Sequence, residues 1–129
     1  MAVIHRRRGN VIKVLLADDS HFIYEIVREL LEDSIFVLAR TANTGEECIR
    51  MYKEIQPDIV LLDIIMPGID GIDTLKLLKA EHPEAKVLIC SSLAYDDTVE
   101  TAKEAGADGV IFKPYTKEIF LPELQKVIQ

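Results

Sequence analysis

The sequence predicts an α/β fold: a five-stranded parallel sheet with helices on both faces. Three observations lead there. Five short apolar runs alternate with amphipathic stretches along the 129-residue chain, the rhythm of repeated strand–helix units. The runs Ile59–Leu62 and Val87–Cys90 are almost wholly apolar, as strands covered on both faces are. No internal repeat, low-complexity segment or linker interrupts the alternation.

Taken in order, the strands are expected at Lys13–Ala17, Val37–Ala42, Ile59–Leu62, Val87–Cys90 and Val110–Phe112. The helices between and after them are expected at Ser20–Glu32, Thr44–Ile55, Asp70–Glu81, Asp96–Ala105 and Thr116–Ile128. Ser20 suits the N-cap of the first helix, whose buried stripe would be Ile23, Ile26, Val27, Leu30 and Leu31. Leu75, Leu77 and Leu78 would form the apolar face of the third, and Gly106 a C-cap after the fourth. Pro122 falls inside the last helical pattern. A proline is tolerated in a first turn but not in an interior. The expectation is therefore a separate turn over Thr116–Phe120, with the regular helix starting near Leu121.

Length and composition narrow the function. The chain is one ordinary domain, with residues 1–10 a basic, mobile arm and residues 11–129 the folded unit. A net charge of −7 argues against nucleic-acid binding by the domain. No apolar run is long enough to span a membrane and no signal peptide is evident, so a cytoplasmic location without membrane contact is expected. Cys48 and Cys90 lie in apolar patterns and read as reduced core thiols. The alternation ends with the fifth helix; if the chain is complete, no effector domain is expected.

Polar residues punctuate the ends of the predicted strands. Asp18 and Asp19 follow the first, Asp63 the third, Ser91 the fourth and Lys113 the last. In open α/β sheets the strands' carboxyl ends form the ligand-binding edge. Each residue has a plainer reading: a helix-capping pair, a turn aspartate ahead of Pro67 and Gly68, a loop serine and a solvated lysine. Their shared position gives them force. Converging carboxylates repel unless a cation joins them, and Mg²⁺ takes oxygen ligands. The pattern points to Mg²⁺ and to phosphoryl chemistry on an aspartate. Pro114 holds Lys113 extended, and the bond between them is of the one type for which cis is an accessible alternative to trans.

With its motifs LLADDS, IVLLDIIMPGIDG, VLICSS and EAGADGVIFKP, the chain from about Val11 to Ile128 resembles the receiver domain of two-component response regulators, especially the small chemotaxis-type regulators. The resemblance implies a flavodoxin-like sheet of strand order 2-1-3-4-5. It implies Asp63 as phosphoacceptor, and Asp18, Asp19 and Asp63 with the Ile65 backbone carbonyl as Mg²⁺ ligands. It makes Ser91 the switch hydroxyl and Lys113 the lysine that pairs with the phosphoryl group. The implied function is a phosphorylation-activated switch, not a conventional enzyme. It would take its phosphoryl group from a histidine kinase, change its binding to a downstream protein and act as a monomer or a phosphorylation-dependent dimer. The alternative is a receiver belonging to a longer regulator with a DNA-binding or enzymatic output domain.

The chain departs from the pattern in places. Val110 stands where the family usually has an aromatic residue three positions before the lysine, leaving Phe112 and Tyr115 as the nearby rings. Ile65 and Leu93 occupy positions whose polar residues elsewhere help to position hydrolytic water. A haloacid-dehalogenase-type phosphatase, which also uses a nucleophilic aspartate, typically has a second aspartate at the position of Ile65. An interaction module that is never phosphorylated would not require the complete residue set.

Overall fold

In a computed structural model, residues 11–92 and 96–129 are described, Asp96 by its backbone only. The elements run β1 (Ile12–Ala17), α1 (His21–Leu30), β2 (Phe36–Ala42), α2 (Gly45–Ile55), β3 (Ile59–Asp63), α3 (Gly71–Glu81), β4 (Val87–Ser91), α4 (Asp96–Glu104), β5 (Gly109–Phe112) and α5 (Lys117–Ile128). The strands form one parallel sheet in the order β2-β1-β3-β4-β5. The basic arm expected at residues 1–10, and Leu93, lie outside the described residues. No described helix is long and apolar enough to cross a membrane.

Alternation along the strands builds two cores. Leu15, Ala17, Val60, Leu62, Val87 and Ile89 pack beneath Cys48, Met51, Leu75, Leu78 and Ala102 of α2, α3 and α4. Their neighbours Val14, Leu16, Ile59, Leu61, Leu88 and Cys90 face Tyr24 and Val27 of α1, Leu31 just after it, and Phe120 and Leu124 of α5. Each fully buried aliphatic side chain contributes about 1.5–3 kcal/mol, so the central strands anchor the fold. Both cysteines are free and buried. Burial pushes each thiol up to about 12, leaving them neutral core residues.

Three expectations need correction. Leu77 is 47% exposed; the buried face of α3 instead runs through Thr74, Leu75 and Leu78. Helical spacing puts 74, 75 and 78 on one side and turns 77 away. In α1 the buried positions are Tyr24 and Val27, with Leu31 buried just beyond, while Ile23, Ile26 and Leu30 are only half-buried. Finally, α5 is continuous from Lys117, with Pro122 inside it, so no separate turn precedes a helix starting at Leu121. Pro122 and Glu118 are both exposed, so the Glu118 carbonyl deprived of an N–H donor faces water. Phe120 and Leu124, buried on either side of Pro122, hold the helix to the sheet.

Smaller features match. Ser20 caps α1, its hydroxyl accepting from the Ile23 N–H at 3.3 Å. Gly106, at φ +105°, ends α4; the Gly106 and Ala107 N–H groups donate to the Lys103 and Ala102 carbonyls, a Schellman arrangement. The Lys113–Pro114 bond is cis.

Replacing Pro122 by alanine restores the missing donor in α5. A helix-interior proline is about 3 kcal/mol worse than alanine, partly offset by the stiffness it gives the unfolded chain. The variant should gain about 1 kcal/mol or more, read as a higher urea midpoint at an unchanged m-value. An unchanged midpoint would show that the helix has already absorbed the proline without loss.

Candidate functional site

Strand order decides which residues meet. Asp18 and Asp19 follow β1, and Asp63 ends the adjacent β3. Asp63 pairs in register with Cys90, so Ser91 lies one step further along β4, opposite Phe112. The Lys113 N–H extends the ladder by donating to the Ser91 carbonyl at 2.8 Å. Asp18, Asp19, Asp63, Ser91 and Lys113 thus share the carboxyl edge of the sheet, as expected.

Asp18 is the most constrained. Only 1% exposed, its carboxylate accepts from the Ser20 N–H at 2.9 Å and from Lys113 Nζ at 2.9 Å. Lys113 Nζ also lies 3.3 Å from Asp63 Oδ1. Asp19 is exposed beside them. Oxygens of Asp18, Asp19 and Asp63 lie within 4.8 Å of one another. This all-oxygen, acidic donor set suits a hard cation such as Mg²⁺.

The ammonium is shared unevenly, and the electrostatics follow. Burial pulls Lys113 down, but the hydrogen bond to Asp18 and the charges of Asp63 and Asp18 outweigh it, leaving the ammonium above its ordinary 10.5. Asp63 moves the other way. Burial pushes its carboxyl above the ordinary 3.8, Lys113 opposes this, and Asp18 adds to it. The closer contact of Lys113 with Asp18 leaves Asp63 incompletely compensated.

The loop between β3 and α3 brings a helix start against Asp63. The Gly71 N–H donates to the Ile64 carbonyl at 2.7 Å. A Cβ on Gly71 would sit 2.2 Å from the Asp63 carbonyl oxygen and 2.7 Å from Ile64 Cα, so only glycine permits this approach. Ile65, two residues beyond Asp63, is 65% exposed.

A model of the response regulator receiver domain matches residues 14–125. The chain belongs to the response regulator receiver family. The chemotaxis protein CheY of Halobacterium salinarum is 39% identical over 116 residues, covering 90% of this chain and 96% of that protein. A chain in the crystal structure of the CheX–CheY–BeF3–Mg complex of Borrelia burgdorferi superposes with a TM-score of 0.87 at 32% identity, covering 92% of this chain and 90% of the other. A nitrate/nitrite response regulator homologue of Haemophilus influenzae is 33% identical over 119 residues; this receiver covers 92% of its own length and 57% of that protein.

The receiver's departures from the family have structural consequences. Val110 is half-buried against the α2–α4 core, Ile111 points into the opposite core, and Phe112 is 38% exposed. Tyr115 is partly buried against the α1–α5 core. Its ring centroid lies 4.9 Å from that of Phe120, and burial together with the adjacent Cys90 drives its phenol far above the ordinary range. Sequence reasoning missed Tyr24, whose hydroxyl donates to the Asp18 carbonyl at 2.6 Å. The available signal was a tyrosine at a position of α1 facing the sheet, where a buried hydroxyl needs a partner.

The raised Asp63 carboxyl sets a pH dependence in metal-free protein. The folded chain holds this proton more firmly than the unfolded chain, whose value is near 3.8. The stability supplied by the proton is full below that pH and is lost as pH rises through the folded value. Asp63→Asn should remove this dependence. In EDTA at neutral pH it should raise the melting temperature by about 3–6 °C, the equivalent of roughly 1 kcal/mol. A lower melting temperature than wild type would contradict the clustered charges.

Proposed function

We propose that Asp63 accepts a phosphoryl group from the phosphohistidine of a histidine kinase, or from a small phosphodonor, and that the acyl phosphate changes the binding of a downstream protein. The observation carrying this reading is the convergence of Asp18, Asp19 and Asp63 within 4.8 Å, with Lys113 Nζ 3.3 Å from Asp63. Asp63 is the nucleophile. As the donor's bond to phosphorus breaks (P–N in phosphohistidine, P–O in acetyl phosphate), the new P–O bond forms at its carboxylate and the imidazole or acetate leaves. Asp18, Asp19 and Asp63, with the Ile65 backbone carbonyl, are the groups that would hold Mg²⁺. Bound there, the ion would offset negative charge on the phosphoryl oxygens. Lys113 supplies a second positive charge at the same oxygens. Ser91 supplies a hydroxyl from β4, and its approach to the phosphoryl group would tell the β4–α4 region which state the receiver is in.

Ile65 governs the lifetime of the modified state. An apolar, exposed side chain beside Asp63 cannot orient a hydrolytic water, so the acyl phosphate should decay slowly. With Val110 in place of an aromatic ring, switching falls chiefly to Ser91 and the loop after it. The negative net charge makes a protein, not a nucleic acid, the direct partner of the domain. A second reading, a receiver within a longer regulator, is supported by the Haemophilus influenzae relative, of which this chain spans 57%.

The test is incubation with acetyl phosphate and Mg²⁺, followed by intact mass. Wild type should gain one phosphoryl group and Asp63→Asn none. Once the donor is removed, Ile65→Asn should lose the group faster than wild type, because its amide can orient a water that the isoleucine cannot. Uptake by Asp63→Asn would displace Asp63 as the acceptor, and an unchanged decay rate would remove the role given to Ile65.

A further inference from the structure

Asp18 and Asp19 sit on a loop, and something must hold that loop while the carboxylates lose and gain a cation. Lys113 and the Ser20 N–H hold the Asp18 carboxylate. Its backbone is held by a different group. Tyr24, 6% exposed in α1, turns its hydroxyl back toward the start of its own helix. It donates to the Asp18 carbonyl at 2.6 Å. The same oxygen lies 3.5 Å from the Ala42 carbonyl and in close contact with the Asn43 side-chain amide.

A phenol has one proton, so it cannot donate to the Asp18 carbonyl and to Asn43 Oδ1 at once. The conflict disappears when the amide is turned about its last bond, an orientation that heavy-atom positions do not distinguish. Asn43 Nδ2 then donates to the phenol oxygen, and the phenol donates to Asp18. The result is a directed chain from the β2–α2 loop, through a side chain of α1, to the main chain between the two carboxylates. The β2 end is itself fixed: the Asn43 N–H donates to Glu47 Oε1 at 2.6 Å and Thr44 caps α2. The Asp18 N–H donates to the Ala42 carbonyl at 3.0 Å, so the two loops are joined twice.

We propose that Tyr24 is a positioning residue for the cation site: through Asn43 it ties the Asp18–Asp19 main chain to the end of β2, and so sets the affinity for Mg²⁺. The inference rests on reading the acidic cluster as the Mg²⁺ site. Groups one step removed from a metal's ligands commonly change its affinity by 10–100-fold. Tyr24 acts on the backbone and not on a ligating oxygen, so the lower end applies.

The experiment is calorimetric titration of Mg²⁺ into wild type and Tyr24→Phe, with metal-free melting curves of both. Phenylalanine keeps the buried ring and removes only the hydroxyl. The expected result is a dissociation constant weaker by about tenfold, and a smaller rise in melting temperature at fixed Mg²⁺. A merely structural role would lower the metal-free melting temperature and leave the dissociation constant alone. Equal affinities in the two proteins, whatever their melting temperatures, would overturn the inference while leaving the Mg²⁺ site standing. Absence of Mg²⁺ binding by wild type would overturn both. If Tyr24→Phe does not fold, Asn43→Ala decides: weakened Mg²⁺ binding supports the tether, and unchanged binding overturns it.

Discussion

One ammonium group between two carboxylates is the contact around which this receiver is arranged. Lys113 Nζ bridges Asp18 at 2.9 Å and Asp63 at 3.3 Å. Two carboxylates about 4 Å apart repel by about 4 kcal/mol at an effective dielectric near 20. The fold tolerates that cost because the lysine arrives from the far side of the sheet. β1 and β3 are neighbours, whereas β5 is separated from β3 by β4. Only a long side chain at the end of β5 can reach across, and Lys113 is placed there by a ladder that continues one residue past Phe112. Ser91 lies in the gap it crosses, at the end of β4.

The arrangement is incomplete by design of its geometry. One positive charge serves two buried or half-buried acids and an exposed third, so negative charge remains in excess. An all-oxygen site with that excess suits a hard cation. A phosphoryl group on Asp63 would redistribute the contacts of Lys113, whose stronger partner in the unmodified state is Asp18. The surroundings constrain how such a change spreads. Val110 has no ring to swing inward, Tyr115 is already packed on Phe120, and Gly71 closes α3 tightly onto the Asp63 backbone.

The site was legible in the sequence because it depends on few variables. Parallel strands bring their carboxyl ends to one edge whatever the details of packing, so Asp18, Asp19, Asp63, Ser91 and Lys113 could be placed together from strand ends alone. What was not legible depends on tertiary position. Leu77 belongs to an apolar triplet in the sequence, yet only helical phase decides that it faces water. Val37 opens the second apolar run, but β2 is an edge strand and leaves it 43% exposed. Pro122 reads as a helix start because its local cost is large; burial of Phe120 and Leu124 around it overrides that cost. Tyr24 reads as one more bulky residue on an amphipathic helix. Its hydroxyl matters only because α1 packs so that the phenol reaches back to the Asp18 carbonyl.

The central claim, that Lys113 and a bound cation answer the same excess of negative charge, is tested most directly by urea unfolding of wild type and Lys113→Met, each with EDTA and with saturating Mg²⁺. Removing the ammonium should lower stability in EDTA, and Mg²⁺ should then stabilise the variant by more than it stabilises wild type. An equal or smaller gain from Mg²⁺ in Lys113→Met would contradict the account, because the lysine and the cation would not be balancing the same carboxylates.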